Sequence, residues 1–203
     1  MRVPRILLVI TADNGYSKDE YPAGAWSDGI TVLRCDGGSV HDSWLLNNTD
    51  VDLVVFKGIG CTVRNNQITN DARYVFAGLK IGDSGEDSSV SLAGSLIHHK
   101  MVYSGSNLLS FGILVGHHPW NSGTISDVGE VSHNSSTGAV VNLAVDGIGG
   151  GLVINNSTSG AQGNRGFHCG FSANYTAAHW GSASIQGRWD ALWQYDNGTC
   201  GPA

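Results

Sequence analysis

Four ionisable residues and a glycine follow short apolar triplets at equivalent positions in the chain: Arg34, Lys57, Asp83, His117 and Gly147. If the triplets are strands of one parallel sheet, neighbouring side chains lie about 4.8 Å apart and form a polar strip along one edge. A cation on such a strip neutralises a substrate carboxylate, while Lys, Arg or His accepts the neighbouring proton. We therefore predict Arg34, Lys57, Asp83 and His117 as catalytic residues for β-elimination on an acidic polysaccharide. An alternating-charge ladder that only holds the rim together is the alternative.

The loops that leave the same strands carry candidate binding residues. The longest departures from the pattern lie at 83–87 and 117–121, and binding residues concentrate on loops held by a rigid scaffold. Trp120 offers an indole face for a sugar ring, and histidine, present at position 118, is a side chain that can transfer protons near neutral pH. We predict Trp120, His118 and Asp146 as substrate-binding residues. Packing of Trp120 down over the core is the alternative.

Two further sets of side chains could hold a metal ion. His98, His133 and Asp71 offer nitrogen and oxygen ligands, but their spacing matches no recognised zinc pattern. Oxygen ligands for calcium are present at Asp83, Glu86 and Asp87, without the D-x-D-x-D-G loop. The prediction is therefore no defined metal site and no cofactor, with calcium as the one candidate.

The elements that position these residues are five copies of one pattern. A first strand, with its outer two residues pointing inward, recurs at 30–32, 53–55, 79–81, 113–115 and 143–145. A second strand recurs at 39–41, 62–64, 91–93, 124–126 and 152–154. The centres of the second strands are 23, 29, 33 and 28 residues apart, so the unit is near 23 residues and the excess lies in loops. Repetition of this kind predicts a solenoid.

This pattern resembles the coil of a right-handed parallel β-helix, as in the pectate-lyase-like superfamily. The runs Leu53-Val54-Val55-Phe56-Lys57-Gly58 and Cys61-Thr62-Val63-Arg64-Asn65-Asn66-Gln67-Ile68-Thr69-Asn70 carry the resemblance, which covers about residues 26–160. It implies one all-β domain over 1–203, with about five recognisable coils at 27–160 and non-repetitive caps at 1–26 and 161–203. The superfamily holds lyases, hydrolases, epimerases, tail spikes and adhesins, so the fold alone does not determine an activity.

Asparagines after the second strands are predicted to turn the corners in the left-handed conformation, which Asn tolerates. They are Asn48, Asn66, Asn134 and Asn156.

Composition and charge limit the classes of partner that the protein is expected to bind. The chain has a net charge of −6 and no Lys/Arg cluster, which argues against nucleic acid. No apolar run reaches the roughly 20 residues that span a bilayer. A polysaccharide or glycan is the predicted partner. End-to-end or lateral self-association through open strand edges is a further prediction.

Cysteines and glycosylation sequons favour a secreted protein. Cys35 with Cys61, on adjacent repeats, and Cys169 with Cys200, in the C-terminal segment, are the predicted disulfides. If the source is eukaryotic, six N-x-Ser/Thr acceptors predict a glycoprotein: Asn47, Asn134, Asn155, Asn156, Asn174 and Asn197. The apolar start at residues 1–10 is interpreted as a first strand, with a remnant of a signal sequence as the alternative.

These observations favour a secreted carbohydrate-active protein, a polysaccharide lyase or a related glycoside hydrolase or epimerase. The alternative is a non-catalytic surface, adhesion or fibre-forming β-helix glycoprotein. An enzyme should bring polar groups with perturbed pKa values together, whereas a structural module should spread them over solvated faces. Five coils is also short for a β-helix that cleaves polysaccharides.

Overall fold

The computed structural model describes residues 5–7, 9–16, 25–82, 90–98, 100–105, 109–116, 125–139, 141–145, 148, 150–159, 165–166 and 174–177. These residues form strands and no helix. In chain order the strands are β1 (Arg5–Leu7), β2 (Ile10–Ala12), β3 (Ile30–Val32), β4 (Ser39–His41), β5 (Trp44–Leu46), β6 (Val51–Val55), β7 (Thr62–Arg64), β8 (Gln67–Asn70), β9 (Val75–Ile81), β10 (Leu96–His98), β11 (Met101–Ser104), β12 (Leu109–Val115), β13 (Glu130–Ser132), β14 (Ser135–Thr137), β15 (Val141–Val145), β16 (Gly150–Ile154), β17 (Ser157–Ser159), β18 (Arg165–Gly166) and β19 (Asn174–Ala177).

The strands build three parallel sheets that enclose one core. Sheet I contains β3, β6, β9, β12, β15 and β18; sheet II contains β1, β4, β7, β10, β13, β16 and β19; sheet III contains β2, β5, β8, β11, β14 and β17. Each coil supplies one strand to each sheet in turn, so every strand pairs with the equivalent strand of the next coil. The chain is an all-β parallel β-helix, as the repeat predicts.

The predicted first strands are confirmed and lie in sheet I. Ile30, Leu53, Leu79, Ile113 and Leu143 are in register on successive coils. The first and third residues of each triplet join one buried core cluster. The pattern is informative because side chains two positions apart point to the same face of a strand.

Two of the five predicted second strands are wrong. The strand residues in sheet II are Leu96–His98 and Glu130–Ser132, about five residues beyond the predicted triplets at 91–93 and 124–126. Leu92 and Ile125 are fully buried at the preceding corner, so each looks like an inward strand residue in the sequence. The inward centres of sheet II lie at 40, 63, 97, 131 and 153, so the steps between coils are 23, 34, 34 and 22 residues.

The prediction of left-handed asparagines is wrong by one residue. Backbone φ is positive at Asn47, Asn65, His133 and Asn155, each of which directly precedes a predicted corner asparagine. Asn48 also belongs to a different corner, because it follows β5 in sheet III. The left-handed residue lies where the chain turns from one sheet into the next, and the side chain that follows it is buried.

The inward residues at the corner between sheets II and III form a buried column, which we call the amide column: Ser43, Asn66, Lys100, Asn134 and Asn156. Each asparagine accepts a hydrogen bond at Oδ1 from a backbone N–H of the preceding coil. The N–H donors are Ser43 to Asn66 at 3.0 Å, Lys100 to Asn134 at 3.1 Å and Asn134 to Asn156 at 3.0 Å. Each Nδ2 donates back to a carbonyl of that preceding coil, as Asn134 does to Ile97 O. These bonds satisfy buried backbone groups that the turn leaves without ladder partners.

Candidate functional site

Two carboxyl groups from adjacent coils lie at the edge where the chain enters sheet I. Asp28 precedes β3 and Asp50 precedes β6, and both side chains are half-buried. The two segments run side by side, since Asp50 N donates to Ser27 O at 3.2 Å and Gly29 N donates to Val51 O at 2.9 Å. We call this place, with the neighbouring rings of Trp26 and Tyr74, the acidic edge.

The two carboxyls of the acidic edge have different surroundings. Asp28 accepts hydrogen bonds from Val51 N at 3.2 Å and from Thr31 Oγ1 at 2.5 Å, which oppose the rise in its pKa that burial causes. Burial, and secondarily the charge of Asp28, raises the pKa of Asp50 to about 6. Among the described residues no group donates a hydrogen bond to the Asp50 carboxyl. Asp28 is therefore fixed in place, whereas Asp50 is a carboxyl that can exchange a proton near pH 6.

Aromatic rings cross the coil that carries Asp50. Trp26 belongs to the coil before it and Tyr74 to the coil after it, and their ring centroids are 6.0 Å apart at 74°. Tyr74 is held by a 2.6 Å hydrogen bond between its hydroxyl and Ser110 Oγ, while Trp26 remains 37% exposed. A partly exposed indole in contact with a fixed ring is a surface suited to a sugar, and Trp26 precedes Asp28 by two residues.

The predicted catalytic strip lies at the opposite end of the sheet I strands. Lys57 is seven residues beyond Asp50, which at about 3.3 Å per residue separates them by roughly 20 Å. Cys35 N donates to Lys57 O at 3.0 Å, so Arg34 and Lys57 do occupy adjacent coils as predicted. Arg34 forms an ion pair with the exposed Asp36 carboxylate. The pKa of Asp36 is lowered mainly by a hydrogen bond from the backbone N–H of Ile59 and secondarily by the hydrogen bond from Arg34.

The remaining residues of the predicted strip and loops are Asp83, His117, His118, Trp120 and Asp146, and they lie outside the described residues. Their roles, with those of Arg34 and Lys57, stay predictions.

A column of basic side chains lies on the outer face of sheet II. His41, Arg64 and His98 are in register on three successive coils. His41 Nδ1 lies 2.6 Å from Asp42 Oδ2, and Arg64 Nη1 lies 4.0 Å from the same oxygen. The hydrogen bond from His41 is the largest cause that lowers the pKa of Asp42. This column is not evident from the sequence pattern, because the predicted third strand of sheet II lies at 91–93. That placement aligns Ala93, and not His98, with Arg64.

His98, His133 and Asp71, the set of candidate metal ligands from the sequence, lie on different sheets. The two histidines end or follow strands of sheet II, whereas Asp71 follows β8 of sheet III and accepts a 3.2 Å hydrogen bond from Asn47 Nδ2. Within the described ranges no three His, Cys, Asp or Glu side chains are arranged to hold a metal ion. The three calcium candidates, Asp83, Glu86 and Asp87, lie outside those ranges.

One predicted disulfide is confirmed. Cys35 and Cys61 are bonded across adjacent coils with their Cα atoms 5.4 Å apart, which fits an oxidising environment. Cys169 and Cys200 lie outside the described residues.

The sequon asparagines differ in exposure. Asn155 is exposed, whereas Asn47, Asn134 and Asn156 are buried and use their amides in hydrogen bonds within the protein. Asn174 lies in β19, and Asn197 is outside the described residues. Among the sequon asparagines whose exposure the structure describes, Asn155 is therefore the accessible one.

No protein-family model matches the chain, and neither a curated protein nor a solved structure matches it. No helix able to cross a bilayer occurs in the part of the chain that the structure describes.

Proposed function

We propose that this chain is a secreted carbohydrate-active β-helix protein that cleaves a neutral polysaccharide at the acidic edge. The observation that supports the proposal is Asp50, a half-buried carboxyl with a pKa of about 6, beside the fixed carboxyl of Asp28. Perturbed acids that converge at one place are typical of catalytic sites. The disulfide between Cys35 and Cys61 fits export from the cell.

Glycosidic cleavage requires a protonated carboxyl for the leaving oxygen and a second carboxylate at the sugar. Asp50 supplies the acid, since a raised pKa keeps it protonated in part at mildly acidic pH. Asp28, held by Thr31 and Val51, supplies the carboxylate. Trp26 and Tyr74 bind the sugar rings. A substrate without charge suits this edge, because uronate groups would be repelled by the two acids.

A second candidate is elimination on an acidic polysaccharide, for which the basic column of sheet II provides the specific support. Arg64 would neutralise a uronate, and His41 or His98 would accept the proton. This is the chemistry that the sequence predicts for the Arg34 and Lys57 strip, placed on a different face.

The two candidates are distinguished by product. The full chain is incubated with soluble neutral β-glucan and xylan, followed by reducing ends, and with polygalacturonate and alginate, followed by ultraviolet absorbance of the unsaturated product. We expect new reducing ends from a neutral polymer, with activity that falls as pH rises through about 6 because Asp50 loses its proton. If only unsaturated product forms, the result would favour elimination at the basic column of sheet II. If the polysaccharide binds and no product forms, the result would favour the non-catalytic alternative.

Asp50→Asn tests the assignment directly. We expect a loss of about 10²- to 10⁴-fold in rate, the usual contribution of a general acid. Asp13→Asn is the matched control, because Asp13 is an exposed carboxyl whose positive φ asparagine also tolerates. An Asp50→Asn protein as active as this control would refute the role of Asp50.

A further inference from the structure

We propose that the outer face of sheet III is a binding surface for an uncharged polysaccharide chain. Strand pairing aligns its outward residues in two columns. One column contains Ile10, Trp44, Gln67, Ser135 and Ser157, and the other contains Ala12, Leu46, Thr69, Tyr103, Thr137 and Ser159. We call these residues the sheet III surface.

None of the residues of the sheet III surface is charged, although the chain has a net charge of −6. An anionic or cationic ligand would therefore find no opposite charge there. The basic column of sheet II and the acidic edge lie on the adjoining faces, and the exposed carboxyls of Asp13 and Asp71 lie just beyond the ends of β2 and β8, so the two columns themselves carry no charge. An uncharged partner is the one that its electrostatics match.

Two rings stand out from the sheet III surface. Trp44 is 46% exposed and Tyr103 is 47% exposed, on coils two apart. Strand spacing and residue rise put their backbones roughly 12 Å apart on a diagonal. An indole and a phenol at that separation can each contact a different sugar of one chain, because both rings offer an apolar face and a polar group.

Hydrogen-bonding groups lie on the C-terminal side of Trp44 and along the Tyr103 column, whereas Ile10 and Leu46 adjoin Trp44 on its other sides. The Gln67 amide lies in the Trp44 column one coil further on, and Thr69 occupies the Tyr103 column. Beyond Tyr103 the surface continues with Ser and Thr, and Thr137 Oγ1 lies 2.9 Å from Ser159 Oγ. Hydroxyl and amide groups interspersed with rings match a sugar, which has apolar C–H faces and hydroxyl edges. Ile10 and Leu46 add apolar area beside Trp44, so a second copy of the chain is the competing occupant that the sedimentation measurement below addresses.

The sheet III surface is contiguous with the acidic edge. The strand that carries Trp44 ends at Leu46, and four residues later the chain reaches Asp50. A polysaccharide lying over β5 thus extends toward the proposed cleavage site. Binding to the surface does not depend on cleavage, so the surface can exist whether or not Asp50 acts as an acid.

The test measures binding of the full chain to soluble neutral β-glucan and to polygalacturonate by affinity electrophoresis and calorimetry. We expect Trp44→Ala and Tyr103→Ala each to weaken β-glucan binding about tenfold, which is the size of one aromatic contact. Trp44→Phe should restore most of the loss. Leu152→Ala, which trims a 41% exposed side chain on sheet II, is the matched control and should bind as the unaltered chain does.

Asp50→Asn separates this proposal from the proposed function, since it should slow cleavage about 10²- to 10⁴-fold and leave binding to the sheet III surface unchanged. The proposal is overturned if the unaltered chain binds no neutral polysaccharide or prefers polygalacturonate. It is also overturned if Trp44→Ala and Tyr103→Ala bind as Leu152→Ala does. Concentration-dependent dimers in sedimentation that Trp44→Ala removes would assign the surface to a second copy of the chain and would likewise overturn it.

Discussion

Replacing Lys100 by asparagine should stabilise the protein, because lysine interrupts the amide column. Lys100 is 2% exposed, and its Nζ donates to His98 O at 3.1 Å. Burial, and to a smaller extent the charge of Arg64, lowers the pKa of Lys100 well below its usual value. The Lys100 amine donates within its own coil, so it does not present to the N–H of Asn66 the carbonyl oxygen that an asparagine of the column would.

The size of the effect follows from the hydrogen bonds that asparagine would form and from the buried amine that it would replace. An asparagine at position 100 would accept from Asn66 N–H and donate to the carbonyl of Val63, each worth about 1 kcal/mol. Removal of the buried amine adds about 1 to 3 kcal/mol. The smaller side chain leaves a void that costs about 1 kcal/mol. The free energy of unfolding should therefore rise by about 2 to 4 kcal/mol, which raises Tm by roughly 4 to 16 °C in a chain of this length.

Urea unfolding between pH 7 and 10 is the assay. The unfolded chain binds a proton at Lys100 that the folded chain releases, so the contribution of this residue to stability rises with pH up to the unfolded pKa of about 10.5. Lys100→Asn should lose this slope as well as gain stability. Lys57→Asn makes the same chemical change at a half-exposed site and is the matched control. A less stable Lys100→Asn protein, or one that keeps the slope, would refute the reasoning.

Two further predictions concern stability. Burial raises the pKa of Asp52 to about 7 despite hydrogen bonds from Asn48 and Asn70, so the folded state keeps a proton that the unfolded chain loses above about pH 4. Stability should fall as pH rises from about 4 to 7, and Asp52→Asn should remove about 3 kcal/mol of that fall in denaturant titrations; an unchanged pH dependence would contradict this. The Cys35→Ser/Cys61→Ser variant should lose about 3 kcal/mol in thermal melts; a Tm equal to that of the oxidised protein would exclude a stabilising bridge.

The sequence predicts those strands in which inward-pointing apolar residues recur at a fixed spacing. The first strands are correct because their inward residues recur without interruption two positions apart. The second strands fail where corner residues such as Leu92 and Ile125 are as buried as strand residues, since burial at a corner and in a strand leaves the same apolar signal. The arrangement of coils is thus more predictable than the point where each loop ends.

The acidic edge is harder to predict because its parts belong to different coils. Asp28 lies two residues before Ile30 and Asp50 three residues before Leu53, so extending the first-strand alignment backwards would have brought them together. No sequence pattern predicts that, among the described residues, no group donates a hydrogen bond to the Asp50 carboxyl. That property depends on the backbone of neighbouring coils, and so does its raised pKa.

The disulfide between Cys35 and Cys61 should affect which coils of the solenoid unfold first. Coils in a linear stack contact only their neighbours, so such a stack frays from its ends inward. The bridge ties successive coils near the N-terminal end, at the corner between sheets I and II. In the oxidised protein, fraying should therefore proceed mainly from the C-terminal coils. The acidic edge, which lies in the bridged coils, should stay folded while the far end opens.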